Sequence, residues 1–442
     1  MIWNEYIEQK VKSMNIDQYE LYLAKVESTS IEVKDQQVEC FTSSHSKGLS
    51  LRILNDNRLW FSYSTEFTNE AFDQVISNAV LSARNSSTDE LYSFPEASKT
   101  LPKLKLFDQN IASISKEDKI DKVKSLEREA TTYDRRINKV RKAAYQEKTA
   151  SEFLINSNGF NLSHQRTFFS FSIEVVAEEK GDSQMGWDFD FSCFYHELDV
   201  VKVGRLASSR SIGQLGAKPT SSFRGAVIFD NSVASQFLGV LVPSFLAESV
   251  QKNKSILKGK MDKKIFSDKI DVVDNGLYPG GVATKPFDGE GVVRQSTLLV
   301  EEGILKNFLY DTYFAKKEKT NSTGNSSRGS INSPPRVGCS NLYIKNGDEN
   351  PDALLSYVDK GLFVNEVMGI HTSNPISGDF SVGVGGFLIK NGKITTPVNG
   401  IAIAGNVMTL FNRVVAVGSD LRFYGHTGSP SVMIEEMDIS GN

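Results

Sequence analysis

The sequence predicts an α+β fold in two parts, residues 1–216 and 217–442. Strand-like runs and amphipathic helices follow one another without the regular β–α–β alternation of a doubly wound sheet. Short apolar runs separated by turn residues repeat in the second part, as in hairpins. The loop-like run GQLGAKPT at residues 213–220 lies between the parts. We therefore expect an N-terminal mixed sheet with helices, followed by a β-rich domain of curved-sheet or partial-barrel type.

The elements of the first part are predicted by local patterns. Residues 48–54 read as a strand, and Thr68 is a good N-cap for a helix that ends near residue 84. A second helix begins at Ser115, whose spacing to Asp118 is that of a capping box. Residues 137–200 read as antiparallel strands, with a turn at Asn158 and Gly159.

The second part begins with a buried strand over residues 224–229. Ser232 is the predicted cap of an apolar helix, and Pro243 either kinks that helix or marks its re-entry. Hairpin turns are predicted at residues 302–303 and 391–392. Residues 320–338 are rich in Ser, Asn, Gly and Pro, and loops of this length are usually functional or mobile.

Composition excludes several classes of protein. The 442 residues contain 50 Lys and Arg against 54 Asp and Glu, a net charge of −4, and no basic run offers a face for nucleic acid. No apolar stretch approaches the ~18 residues of a membrane span, and the N-terminus lacks the pattern of a secretion signal. Three cysteines, far apart in sequence, fit reduced thiols better than a disulfide framework. We expect a cytoplasmic protein with neither nucleic acid nor membrane among its partners.

The histidines give no positive sign of a metal centre within this chain, although a zinc site assembled from distant residues stays open. Of the five, no two lie three to five residues apart, which excludes the H-E-x-x-H arrangement. No phosphate-binding loop is present. The run GVGG at residues 383–386 fails as a dinucleotide fingerprint because Leu388 stands where the third glycine belongs. We therefore expect no cofactor bound by this chain.

A series of motifs in the second part carries a family resemblance. In order, they are DGEGV (288–292), TLLVEEGILK (297–306), LYD (309–311), STGN (322–325), SPPR (333–336), NLYI (341–344), GDFS (378–381), GGF (385–387), PVNG (397–400) and IAGN (403–406). Their order and spacing resemble the TldD/PmbA family, whose members are described as modulators of DNA gyrase and as metallopeptidases. The resemblance covers the whole chain in outline and is strongest in the C-terminal half.

The resemblance also implies which branch of the family the chain is similar to. The TldD branch binds zinc through an H-E-x-x-x-H helix and a cysteine near the C-terminus. Counting back from Ser255 places Leu238, Gly239 and Pro243 at the His, Glu and His positions, and no cysteine follows Cys339. None of these side chains can bind zinc or accept a proton. The chain therefore looks like the PmbA branch, also called TldE, with the zinc expected in a TldD-type partner.

For such a chain the family implies one subunit of a heteromeric metalloprotease that acts on unfolded peptides. The implied roles are peptide maturation and degradation of antitoxin-type proteins. We expect residues 217–442 to be the metalloprotease-like domain, the chain to be inactive alone, and Thr323, Gly324, Asn325 and Arg328 to line a peptide cleft. A conformationally demanding turn is the simpler explanation of these four residues.

Two other hypotheses remain open from the sequence. The chain could be a homodimeric, non-catalytic peptide-binding or scaffold protein. Alternatively, Cys339 could act as a nucleophile with His371 as its base, because such partners need not be neighbours in sequence. An isolated cysteine among small residues is more often an inert thiol.

Overall fold

The computed structural model describes residues 2–14, 16, 18–83, 87–96 and 100–441, without the side chains of residues 2–4, 82 and 83. The α-helices are α1 Ile2–Ser13, α2 Asn69–Ala83, α3 Lys116–Thr131, α4 Val200–Gly213, α5 Asn231–Leu241, α6 Ala247–Gln251, α7 Thr312–Lys317, α8 Pro351–Ser356 and α9 Val407–Asn412. Short 3₁₀ turns occur at Ile111–Ser113, Tyr195–Glu197, Val242–Phe245 and Ile370–Thr372. Within these ranges no helix is long and apolar enough to cross a membrane.

The N-terminal half is built on one antiparallel sheet. Its strands are β1 Gln18–Lys34, β2 Gln37–Asn55, β3 Arg58–Ser64, β4 Ile137–Asn156, β5 Asn161–Glu179 and β6 Asp182–Ser192. The spatial order is β3-β2-β1-β4-β5-β6. Helices α1 and α2 pack on one end of this sheet, and α3 and α4 on the other, so the long strands carry two separate apolar clusters.

The C-terminal half contains shorter strands and a larger core. They are β7 Phe223–Phe229, β8 Val272–Asn275, β9 Ser296–Glu301, β10 Ile304–Leu305, β11 Ser326–Ser327, β12 Arg336–Val337, β13 Leu342–Ile344, β14 Lys360–Met368, β15 Asp379–Lys390, β16 Lys393–Asn406, β17 Val414–Val417, β18 Arg422–Tyr424, β19 Thr427–Ser429 and β20 Val432–Ser440. Strands β16, β15, β14, β7 and β20 form a closed five-stranded barrel, because β16 also pairs with β20. A second sheet runs β10-β9-β8-β13-β19-β18.

The predicted α+β class and β-rich C-terminal half are confirmed, and the barrel is closed rather than partial. Thr68 and Ser115 cap α2 and α3 as predicted, by accepting the N–H groups of Ala71 and Asp118. The predicted cap Ser232 was wrong. The cap of α5 is Asp230, which accepts the N–H of Val233 at 2.9 Å, while Ser232 lies inside the helix and donates to Asp230. A carboxylate that reaches two donors at the helix start competes better than a hydroxyl.

Candidate functional site

A buried network of charges joins the N-terminal sheet to the C-terminal half. Glu20 on β1 and Arg52 on β2 are paired across the strands, and two guanidinium nitrogens of Arg52 donate to the carboxylate at 2.9 and 2.5 Å. The third nitrogen of Arg52 donates to Glu290 at 3.1 Å. Arg328 approaches from the C-terminal half and also donates to Glu20. Four charges from three distant parts of the chain are thus neutralised together.

The electrostatics of this network follow from its burial. Burial alone would disfavour a charged Glu20, but Arg52 and Arg328 outweigh that effect and hold the pKa of Glu20 below its ordinary value. Arg328 also donates to the carbonyl of Gly289 at 2.7 Å and stacks over the ring of Tyr22 at 4.3 Å. The planar guanidinium makes these contacts at once, which a lysine could not do.

A turn at residues 288–292 holds Glu290 in place. Asp288 accepts the N–H groups of Glu290 and Val292 through one oxygen, at 2.9 and 3.0 Å, and the N–H of Ser326 through the other, at 2.9 Å. Burial and the neighbouring Glu290 raise the pKa of Asp288 to about 7. The motif DGEGV therefore encodes a rigid turn that presents one glutamate to Arg52.

The predicted cleft residues lie beside this turn. Thr323 accepts the N–H of Tyr310 at 2.8 Å, and Asn325 donates to Asp274 at 2.8 Å. Gly324 has φ +71°, and a Cβ there would lie 2.6 Å from the carbonyl oxygen of Val293. The structure brings Thr323, Gly324 and Asn325 together with Arg328 in one segment, largely buried.

None of those four residues lines the open cavity that adjoins the network. This cavity, of about 360 Å³, lies between β2 and β3 on one side and α6 and α7 on the other. Glu290 and Arg52 form part of its floor together with Asp311, the N-cap of α7. Burial, and then the nearby Glu290, raise the pKa of Asp311 to about 7.

The positions matched to the zinc helix lie at the end of α5. Leu238 is fully buried in the main core, Gly239 is half-exposed, and Pro243 lies in the 3₁₀ turn that follows the helix. A Cβ on Gly239 would meet no atom within 4 Å. The three positions offer no nitrogen, oxygen or sulfur donor in their side chains, so they do not fit a zinc ion. Among the described residues, no group of three or more His, Cys, Asp and Glu could hold a metal.

Cys339 does not have the environment of a reactive thiol. Burial, and then the neighbouring Asp274, raise the pKa of the thiol to about 12, which disfavours the thiolate. His371 lies in the exposed 3₁₀ turn Ile370–Thr372. No hydrogen bond joins Cys339 to His371 in the described part of the chain.

Sequence reasoning missed Glu20, Arg52, Glu290 and Asp311 as site residues. The last two lie inside the family motifs DGEGV and LYD, which carry the resemblance but give no sign of a charge network. A weak signal for Arg52 exists in its position as a lone charge within an apolar strand. Such a charge is expected to be paired when buried, but its partners cannot be read from the sequence.

Comparison with known proteins gives a consistent assignment. Three family models match: PmbA/TldA metallopeptidase domain 1 at residues 19–83, the central domain at 109–215 and the C-terminal domain at 222–441. Metalloprotease PmbA of Escherichia coli O157:H7 is 28% identical over 434 residues, covering 96% of this chain and 92% of the relative. The metalloprotease TldD homolog of Buchnera aphidicola subsp. Acyrthosiphon pisum is 25% identical over 427 residues, covering 89% and 86%.

The fold has a counterpart among solved structures. TldE from Thermococcus kodakarensis superposes with a TM-score of 0.90 at 24% identity, over 99% of this chain and 100% of that one. This likeness concerns the fold, while the family models cover most of the sequence. The chain belongs to the PmbA/TldD metallopeptidase family.

Proposed function

We propose that this chain is the PmbA/TldE-type, zinc-free subunit of a heteromeric metalloprotease that acts on unfolded peptides. A TldD-type chain would be its partner and would supply the zinc. The proposal rests on the end of α5, where Leu238, Gly239 and Pro243 stand at the positions that the resemblance matches to the zinc-binding helix. Their side chains contain no group that could bind zinc. The relatives named metalloprotease PmbA and the fold shared with TldE support the same branch.

The role of this chain would be to complete the enclosure around the substrate rather than to perform the chemistry. Strand β2 offers one surface for this: β3 pairs with it only from Leu49 onward, and its residues Gln37 to Lys47 are exposed. Within the described residues no strand pairs with the outer edge of that segment. Open strand edges accept an extended peptide or a second sheet through backbone hydrogen bonds.

The experiment is cleavage of an unstructured peptide by this chain alone, by the TldD-type chain from the same source alone, and by the mixture. We expect hydrolysis that depends on the mixture and that a zinc chelator abolishes. A Glu→Gln variant in the H-E-x-x-x-H helix of the partner should abolish it as well. Gly239→Ala in this chain is the matched control and should leave the activity of the mixture unchanged.

Three outcomes separate the hypotheses. Hydrolysis by this chain alone would contradict the proposal, and Cys339→Ala would then test the nucleophile hypothesis. Failure of the two chains to co-migrate in sedimentation, with this chain forming a homodimer, would favour the homodimeric scaffold. Co-migration with chelator-sensitive activity supports the heteromeric protease.

A further inference from the structure

The cavity beside α7 contains charges that the protein itself does not neutralise. Three carboxylates line it, and two of them already pair with a cation of this chain. Glu248 accepts the ammonium of Lys252 at 2.6 Å, and Glu290 accepts Arg52 at 3.1 Å and the N–H of Thr312 at 3.1 Å. The third carboxylate therefore decides what the floor of the cavity can bind.

That third carboxylate is Asp311, which is only 6% exposed. Its Oδ1 accepts the N–H of Phe314 at 2.8 Å, which caps α7. No group in the described ranges donates to its Oδ2, although the side chain lines the cavity. The carboxylate as a whole is buried, and a cationic or N–H donor from a ligand would stabilise its ionised form.

Positive charges without an ion-pair partner lie at the mouth of the cavity. Of the lining cations, Arg52 and Lys252 are paired as described, but Lys317 and Arg336 are exposed and form no ion pair with any described residue. Lys317 lies 6.0 Å from the ring centre of Tyr313. Asp89, which interacts electrostatically with Lys317, already accepts the hydroxyl of Tyr313 at 2.8 Å and a backbone N–H.

The walls between the two ends are apolar. Leu59, Tyr92, Tyr313, Phe314 and Pro334 contribute to them, and the rings of Tyr92 and Tyr313 are 5.3 Å apart. A volume of about 360 Å³ is at the lower end of the range of small-molecule sites, which starts at ~300 Å³. The cavity thus has an unsatisfied anion at the bottom, aromatic walls and cations at the mouth.

We propose that this cavity binds a small apolar zwitterion of the α-amino-acid class. Its ammonium group would donate to Oδ2 of Asp311, its carboxylate would meet Lys317 and Arg336, and its side chain would pack on the aromatic walls. A free amino acid and a dipeptide share this chemistry. The inference stands on the cavity alone and does not depend on the proposed protease function.

The test is calorimetric titration of the full chain with L-phenylalanine at pH 7 and low ionic strength, where about half of Asp311 is ionised and the free amino groups of the probes are mostly protonated. N-acetyl-L-phenylalanine lacks the ammonium, and L-phenylalaninamide lacks the carboxylate. We expect binding of L-phenylalanine, at least about tenfold weaker binding of the acetylated compound, and an intermediate affinity for the amide. The dipeptide Phe-Ala distinguishes the two sources, because tighter binding than that of L-phenylalanine would point to a peptide terminus.

Variants assign the binding to this cavity. Asp311→Asn keeps a good N-cap on α7 but removes the charge, and should weaken L-phenylalanine binding about tenfold or more. The matched control is Asp199→Asn, the N-cap of α4 away from the cavity, which should bind normally. Lys317→Gln should weaken L-phenylalanine but not the amide, whereas Lys316→Gln, one residue earlier in α7, should change neither.

Three results would overturn the inference. The first is the absence of any heat of binding with L-phenylalanine and Phe-Ala at millimolar concentration. The second is equal affinity for L-phenylalanine and its acetylated form, which would remove the ammonium from the recognition. The third is unchanged binding in both Asp311→Asn and Lys317→Gln, which would place the ligand elsewhere on the chain.

Discussion

Single buried charges have a large influence on the stability of the folded protein. Glu20 is 1% exposed and lies between two arginines, one on the neighbouring strand and one from the C-terminal half. A buried ion pair contributes little net stability compared with apolar residues of the same shape. Removing one partner is different, because the remaining charges stay buried without compensation.

We therefore expect Glu20→Gln to lower the free energy of unfolding by about 3–5 kcal/mol, since Arg52 and Arg328 would lose a shared counter-charge. The matched control is Glu27→Gln on the same strand, whose carboxylate is exposed and lies 3.7 Å from His45. Its effect should stay within about 0.5 kcal/mol. Urea unfolding at pH 7.5 measures both, and equal effects of the two substitutions would contradict the argument.

Asp311 allows a prediction about pH. Its native pKa of about 7 lies above its ordinary value of 3.8, so the ionised carboxylate destabilises the native state. The penalty is absent below the unfolded pKa, grows as the pH rises from about 4 to 7, and is constant above that. Asp311→Asn removes it, so the stability of the variant relative to the wild type should increase between pH 5 and 7, on the order of 1 kcal/mol per pH unit.

Urea unfolding at several pH values between 5 and 8 measures this difference. Asp199→Asn serves as the control, because it removes the charge of another helix N-cap that lies away from the cavity. A constant difference between Asp311→Asn and the wild type across the range would show that the carboxyl is ionised throughout.

At the scale of elements, three glycines allow the effect of backbone conformation on stability to be separated from the effect of close packing. Gly324 combines a left-handed backbone with close packing, and a Cβ would approach the carbonyl oxygen of Val293 to 2.6 Å. Gly216 has a similar φ of +75° but open space around it. Gly239 lies within α5, with open space and ordinary helical geometry.

Alanine at these three positions should have three different effects on the midpoint of urea unfolding. Gly324→Ala should destabilise by about 3 kcal/mol, because strain and overlap add. Gly216→Ala should cost about 1–2 kcal/mol from the backbone alone. Gly239→Ala should stabilise α5 by up to about 1 kcal/mol. A destabilising effect at Gly239 would mean that another group occupies the space beside it.

At the scale of the whole molecule, the two halves are joined by polar contacts that cross between them. Besides Arg52 with Glu290, Lys285 donates to Glu152 at 2.5 Å, and Arg166 donates to carbonyl oxygens of residues 281–284. We expect such contacts to couple the unfolding of the predicted parts 1–216 and 217–442. The position of that boundary itself stays a prediction.

Tryptophan provides a probe of this coupling, because all three tryptophans lie in the first 216 residues. In the wild type we expect the tryptophan fluorescence and far-ultraviolet circular dichroism transitions in urea to coincide. The variant Arg52→Met loses the contacts with Glu20 and Glu290. In this variant the fluorescence transition should occur at a lower urea concentration than the dichroism transition. Coincident transitions in the variant would show that the remaining contacts are sufficient for coupling.

Much of the architecture was predictable because it depends on neighbours in sequence. The caps at Thr68 and Ser115, the turn at residues 158–159 and the hairpin at 391–392 are encoded within a few residues. The α+β class follows from the order of such elements. The cap at Ser232 was mispredicted because Asp230, two residues earlier, offers the stronger acceptor.

Residue identity and local spacing are enough to predict most helices and strands, the family, and the lack of zinc-binding side chains at Leu238, Gly239 and Pro243. Which charges meet cannot be predicted in this way, because it depends on long-range packing. Glu20, Arg52, Glu290 and Arg328 are separated by up to 308 positions, and their partners depend on how the halves pack. The sequence also could not predict the free oxygen of Asp311 or the unpaired cations at the mouth of its cavity. Whether a charge has a partner depends on which residues the fold brings next to it.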